Sequence, residues 1–327
     1  MKSPKKWLQA MAGIGVSVAL LWWLLRDVHP GEVKAALLAA DWRIFLLAPA
    51  SWFTTWLLRS VRWRFLLEPP TPPYRLRWDA NAIGFFALMV LPLRIGEVLR
   101  AAVLSREEPR PFAACAASIV LERIFDMIAV LLLLGGALLT LDPARASVVN
   151  PTLLKAMKTM GALLAVGVLA LPVVVRFGPA FARRFGRLGG HAATFLEAVG
   201  AVRGLRLAGT LATTVVIWIA NVAAFYYAAR AFSVHPGVSI GDEIGWAGSA
   251  FMLGATCLAI AAPSSPGFFG TFHAGAAAGL AVYGFGKNEI IPFVLATHMA
   301  NFLMTLALGG EAILHRGWKL DMGETVE

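Results

Sequence analysis

Three stretches of this sequence put polar or charged residues where their neighbours are apolar. The first is LPLRIGEVLR (91–100), where Arg94, Glu97 and Arg100 stand at i, i+3 and i+6 behind Pro92. On a short helix starting after that proline the spacing predicts one charged side, with Glu97 able to pair with either arginine. Guanidinium groups make bidentate contacts to phosphate, so the arginines suit a lipid headgroup, with Glu97 orienting them or taking part in ion coupling. An interfacial helix whose charges simply face headgroups is the plainer alternative. The second stretch is SIVLERIFDMIAVLLLL (118–134), in which Glu122, Arg123 and Asp126 lie nine to thirteen residues into an apolar run starting near Ala113. Glu122 and Asp126 share a face at i, i+4, and Arg123 and Asp126 are i, i+3. Charges at mid-membrane cost roughly 2.5–3.5 kcal/mol each on insertion scales and normally face a bundle interior or a cavity. This trio carries a net charge of −1, so Arg59, Arg62 or Arg64 of LLRSVRWRFLL (57–67) can complete it. The alternatives are a purely structural ion pair and, for the arginines, inner-leaflet anchoring with Trp63 as a belt aromatic.

The third stretch, APSSPGFFGTFHAGAAAGL (262–280), breaks any span with prolines and glycines. Ser264, Ser265 and the backbone N–H groups around Gly267 and Gly270 can bind an anion, and an ordinary loop is the alternative. Gly275 and Gly279 have small-xxx-small spacing for close helix contact. His273 and His298, the latter with Asn301 one turn on, add polar groups at membrane depth. Two histidines so far apart in sequence suit proton handling better than a metal, and neither metal nor cofactor is expected.

The elements that position these residues are membrane spans. The 327 residues are 58% hydrophobic and 15% charged, with a mean hydropathy of +0.70, which indicates a polytopic membrane protein. Apolar runs near the ~20 residues that cross a bilayer occur at 7–25, 44–67, 113–141, 152–175, 207–230, 244–262 and 290–314. The run 81–92 is too short to span and is expected to enter and turn back. The expectation is an all-α helix bundle of about six to eight transmembrane helices with two broken, re-entrant segments, forming a single domain over 1–327. Its first half is 1–175, a basic link covers 176–206, the second half is 207–315, and a short polar tail is 316–327. Each half holds one Pro/Gly-broken piece, as transporters built on an inverted repeat do.

The net charge of +10 follows topology. Residues 59–79 hold five arginines, 94–112 four and 176–206 six, against one in 142–151 and none in 231–243. By the positive-inside rule the basic links and the N-terminus are cytoplasmic. Aromatic interleaving of a nucleic-acid type is absent, so no nucleic-acid partner is expected. The link 176–206 has room for an amphipathic helix on the inner leaflet. Cys115 and Cys257 fall in membrane segments without metal or redox spacing and are expected to pack.

Four motifs together resemble the flippase-like membrane domain found in bacterial lysylphosphatidylglycerol synthases and in stand-alone relatives. RSVRWRFLL fits R-x-x-R-W, LPLRIGEVLRAAVLSR fits L-P-x-R-x-G-E-x-x-R, SIVLERIFDMIAVL fits E-R-x-x-D, and PSSPGFFGTF fits S-P-G-x-x-G, in family order along essentially the whole chain. The resemblance implies lipid movement between leaflets of a bacterial plasma membrane, with Arg59, Arg62, Arg94, Glu97, Arg100, Glu122, Arg123 and Asp126 toward the substrate. Many relatives carry an acid where His273 stands and some an arginine where His298 stands, so the substrate here can differ. A non-enzymatic transporter of an anionic phospholipid or polyprenyl-phosphate-linked lipid is the expected function. Its rivals are a non-catalytic partner of a lipid or glycan synthase, and an intramembrane enzyme using Glu122, Asp126 or His273 as acid or base. No nucleophile elbow, H-E-x-x-H or P-loop is present.

The charge pattern fixes an orientation that labelling can check. A cysteine placed at Arg184 should react only with permeant reagents in intact cells, and one at Val238 should also react with impermeant ones.

Overall fold

The computed structural model describes residues 28–92, 94–262 and 265–317, with the isolated positions 15, 19, 22 and 26. The expected first span and nearly all of the polar tail therefore lie outside the described residues, as does Ser264. The chain is helical almost throughout, because hydrocarbon offers no hydrogen-bond partner and each span must satisfy its own backbone. A short antiparallel pair, Ser233–His235 with Val238–Ser239, is the exception among the described residues. Among them five helices are long and apolar enough to cross a membrane: Trp42–Leu66, Pro151–Gly200, Leu205–Arg230, Ile240–Ala261 and Lys287–Arg316. They match five of the apolar runs. The run at 113–141 forms a helix of 27 residues that carries Glu122, Arg123 and Asp126 at its centre.

The order of elements repeats. The first half runs through a long helix α1 (Leu47–Leu66), a hairpin of α2 (Tyr74–Val90) and α3 (Ile95–Glu107), and a long helix α4 (Phe112–Leu138). Next come α5 (Pro151–Ala182) and α6 (Gly186–Gly200), which pack on one another. The second half repeats the scheme with α7 (Leu205–Arg230), a hairpin of α8 (Ile240–Ala261) and α9 (Thr271–Ala281), and α10 (Lys287–Arg316). Helices α1 and α7 form the most extensive pairing and run antiparallel, since Phe65 meets Gly209, Arg62 meets Thr214 and Trp52 meets Phe225. The hairpins that follow them consequently enter from opposite ends. Each leans on the last helix of the other half, α2 on α10 and α8 on α4.

Glycine closes both hairpins. Gly84 and Gly96 face one another so closely that a Cβ on either would overlap the other's carbonyl oxygen, and a Cβ on Gly279 would lie 2.7 Å from the Met252 Cα. Among the described residues, the non-glycine positions with positive φ are Arg94 (φ 55°) and Phe268 (φ 59°), and each sits at a hairpin tip. Left-handed backbone at such residues is uncommon and gathers at functional sites.

Two boundaries differ from expectation. The apolar piece 81–92 belongs to a helix that starts earlier, at Tyr74, because its polar first turns find partners. Asp79, fully buried, is held by Arg75 at 2.9 Å and by Arg316 at 2.7 Å, while Arg77 donates to the Pro72 carbonyl at 3.1 Å. The helix expected to end near 175 continues to Ala182, and the basic link then folds back as α6.

Two apolar clusters fill the bundle, one including Trp52, Val130, Leu134 and Phe225, the other Trp63, Cys115, Ile119 and Leu121. On α4 the charged trio falls between them. The tight glycine contact predicts that Gly96→Ala lowers the melting temperature by an overpacking cost of roughly 1–3 kcal/mol. Gly136→Ala, with nothing within 4 Å of the new Cβ, should not lower it in the same thermal-shift assay.

Candidate functional site

A cavity of about 360 Å³ opens between the two halves, lined by residues of α1, α2, α3, α4, α7, α8, α9 and α10 and by both hairpin tips. Trp52, Trp56, Phe85, Trp218, Phe225 and Phe272 form apolar wall, and Arg59, Arg94, Glu97, Arg123 and Asp126 bring charge to it. The volume is within the ~300–1,000 Å³ usual for ligand pockets.

Behind the charged wall lie two clamped carboxylates. Asp126 takes both terminal nitrogens of Arg62, at 2.7 and 3.2 Å, with Arg59 Nη1 at 3.1 Å and Trp218 Nε1 at 3.2 Å. Glu122 takes both terminal nitrogens of Arg100, at 3.0 and 2.9 Å. The side chains of Arg62, Arg100 and Glu122 are wholly buried, and Arg100 lies over the Trp63 ring at 4.8 Å. The i, i+4 spacing on α4 turns both carboxylates toward α1, and the i, i+3 spacing of Arg59 and Arg62 turns both arginines to meet them. Arg64, two residues further on, joins none of these pairs.

Arg123 is partly open: its side chain is 34% exposed, against 43% for Arg94; Nε lies 3.3 Å from Glu97 and Nη2 3.7 Å from Glu122, yet neither makes a hydrogen bond. Glu97 also lies 3.7 Å from Arg94. Arg94 Nη2 donates to the Ile260 carbonyl at 2.7 Å, joining the tip of the first hairpin to the end of α8 in the second.

Several expectations are corrected here. Arg94 and Arg100 do not act from one side of α3: Arg94 is the left-handed residue just before the helix and faces the cavity, whereas Arg100, within the helix, points into protein toward Glu122. Trp63 is no belt aromatic. It is wholly buried and donates to Ser118 Oγ at 2.8 Å. At the second tip Ser265, Gly267, Gly270 and His273 lie apart from the cavity lining and are used internally. Ser265 Oγ donates to the Phe269 carbonyl at 3.2 Å, the Gly270 N–H donates to His273 Nδ1 at 3.4 Å, and His298 Nε2 pairs with the Gly267 carbonyl at 2.8 Å. The histidine rings stand edge to face at 4.8 Å. Among the described residues no group of His, Cys, Asp and Glu could hold a metal. His298 and Asn301 do reach the cavity.

The sequence reading missed the contribution of α7. Thr214 binds Arg62 at 3.1 Å, Trp218 binds Asp126, and Asn221 and Phe225 line the cavity. Thr210, Thr214, Trp218, Asn221 and Phe225 recur at intervals of three and four, which is a helical stripe, but none carries the charge that marks the other motifs.

A helical bundle whose two broken hairpins meet beside a buried arginine–carboxylate cluster defines a multi-pass membrane protein with a polar intramembrane site. The chain belongs to the family described as the lysylphosphatidylglycerol synthase TM region, which it matches over residues 10–309. It is also similar to the glycosyltransferase AglD of Haloferax volcanii, at 28% identity over 133 residues that make up 40% of this chain and 21% of that protein. No solved structure matches.

The two buried pairs predict a non-additive pattern. Arg100→Met takes both hydrogen bonds from buried Glu122, leaving it ion-pair contacts at 3.5–3.7 Å to Arg59, Arg62 and Arg123, and should cost up to about 3 kcal/mol, seen as lost yield and a lower melting temperature. Arg100→Met combined with Glu122→Gln should recover most of that loss.

Proposed function

We propose that this protein holds the phosphate headgroup of an anionic membrane lipid in the cavity between its halves and moves that lipid between leaflets. The observation that carries the reading is Arg123, a partly exposed guanidinium on the wall of an intramembrane cavity whose ion-pair contacts to Glu97, Glu122 and Asp126 are long, at 3.3, 3.7 and 3.8 Å, with Nε and Nη2 making no hydrogen bond. A charge at that depth is held by partners or water, and a phosphate would supply the hydrogen bonds that these loose contacts do not. The aromatic wall gives the lipid's chains an apolar surface, and the meeting of two broken segments at the site agrees with transport between repeats. Anionic phospholipids and polyprenyl-phosphate-linked lipids both fit. The sequence has no ATP-binding motif, so any active transport in this reading draws on an ion gradient or on a reaction that consumes the lipid. In this reading the protein is not an enzyme and sits in a bacterial plasma membrane with its N-terminus inside.

The partial match to a glycosyltransferase supports a second reading, in which the bundle is the non-catalytic membrane partner of a lipid or glycan synthase. Purified protein in vesicles should translocate a labelled anionic lipid. Arg123→Gln, at a partly exposed position, should still insert and purify, while its rate falls tenfold or more, about 1.4 kcal/mol or greater. Unchanged transport by the variant sinks the cavity reading. No transport by the parent, with a synthase retained on purification, favours the second.

A further inference from the structure

The charge balance of the site narrows the headgroup, and this step rests on the lipid reading above. Five arginines, Arg59, Arg62, Arg94, Arg100 and Arg123, meet three carboxylates, Glu97, Glu122 and Asp126, so the cluster holds two positive charges in excess. The bidentate pairs Arg62–Asp126 and Arg100–Glu122 neutralise each other behind the wall. Arg59, Arg94 and Arg123 stand at the cavity with Glu97 and Asp126, and since the charge of Asp126 is matched by Arg62 behind it, Glu97 is the one acid set against the three arginines. The Ile260 carbonyl that receives Arg94 is a dipole and removes no charge.

An unmatched charge of two inside a membrane is costly, and a ligand lowers that cost most when it brings the same charge with opposite sign. A zwitterionic headgroup brings none and a phosphodiester brings one. A phosphate monoester, with its second pKa near 6, brings close to two and presents three terminal oxygens, one for each arginine at the wall. We infer that the ligand is a lipid ending in an unsubstituted phosphate, a dianion on an apolar chain, in preference to a phosphodiester phospholipid.

Binding of chain-matched phosphatidic acid, phosphatidylglycerol and phosphatidylethanolamine to the purified full-length protein at pH 8, by native mass spectrometry, tests this. Glycerol 3-phosphate serves as the chain-free probe. Phosphatidic acid should bind at least about tenfold tighter than phosphatidylglycerol, with phosphatidylethanolamine and glycerol 3-phosphate weaker than either. Arg94→Gln lowers the excess to one charge and should shrink the preference to within about threefold while phosphatidylglycerol is still retained. Equal binding of the two anionic lipids by the parent overturns this inference and leaves the anionic-lipid reading standing. Binding of none of the lipids overturns both. Glycerol 3-phosphate binding as tightly as phosphatidic acid overturns the lipid assignment here and under the proposed function.

Discussion

The bidentate clamp of Arg62 on Asp126 governs the arrangement of this bundle. A carboxylate in the middle of a span is tolerated only with a partner at close range, and Asp126 finds one on a helix more than sixty residues away in sequence. Satisfying it sets how α1 and α4 sit against each other and brings α7 in as well, since Thr214 and Trp218 take up the remaining geometry. The Arg100–Glu122 pair repeats the logic one turn away and draws α3 into the same cluster. Such pairs are weak evidence for stability, because hydrophobic replacements are often as stable. What they supply is a specified register: sliding α4 by one residue would leave two carboxylates and two arginines unpaired in hydrocarbon.

The hairpins follow from the same constraint. A continuous span would fill the space beside the clamp with side chains, whereas a segment that stops and turns leaves room and brings backbone carbonyls to the site. Regular helix stops at Val90, just before Pro92, and at Ala261, Pro266 opens a single 3-10 turn, Arg94 and Phe268 take the left-handed backbone that the turns require, and glycine contacts hold the arms together. The tips are then secured by the groups they free: the Ile260 carbonyl by Arg94, and the Gly267 carbonyl by His298.

Much of this was legible in the sequence, for identifiable reasons. Glu122, Arg123 and Asp126 stand out because charge inside an apolar run has few explanations, and the two broken pieces stand out because proline and glycine interrupt such runs. The trio's net charge of −1 points to Arg59, Arg62 or Arg64 as its complement without choosing among them. Which arginine meets which carboxylate was not legible, because helix crossings decide it. The stripe on α7 could have been read from its helical spacing, whereas the separation of Arg94 from Arg100 could not, since it depends on Arg94 taking left-handed backbone before the helix. The internal use of Gly267, Gly270 and His273 could not, since it depends on where the second tip folds over α10.

The two halves share an element order but divide the chemistry unequally. Every formally charged residue on the cavity wall, Arg59, Arg94, Glu97, Arg123 and Asp126, comes from the first half, while the second contributes aromatic rings, amides, a histidine and backbone. An inverted repeat with identical halves would present the same surfaces to both sides of the membrane, related by a two-fold axis in the membrane plane. Here the exchange that relates the shapes does not relate the charges. The cavity is therefore polarised across its two halves, with one wall charged and the facing wall formally neutral.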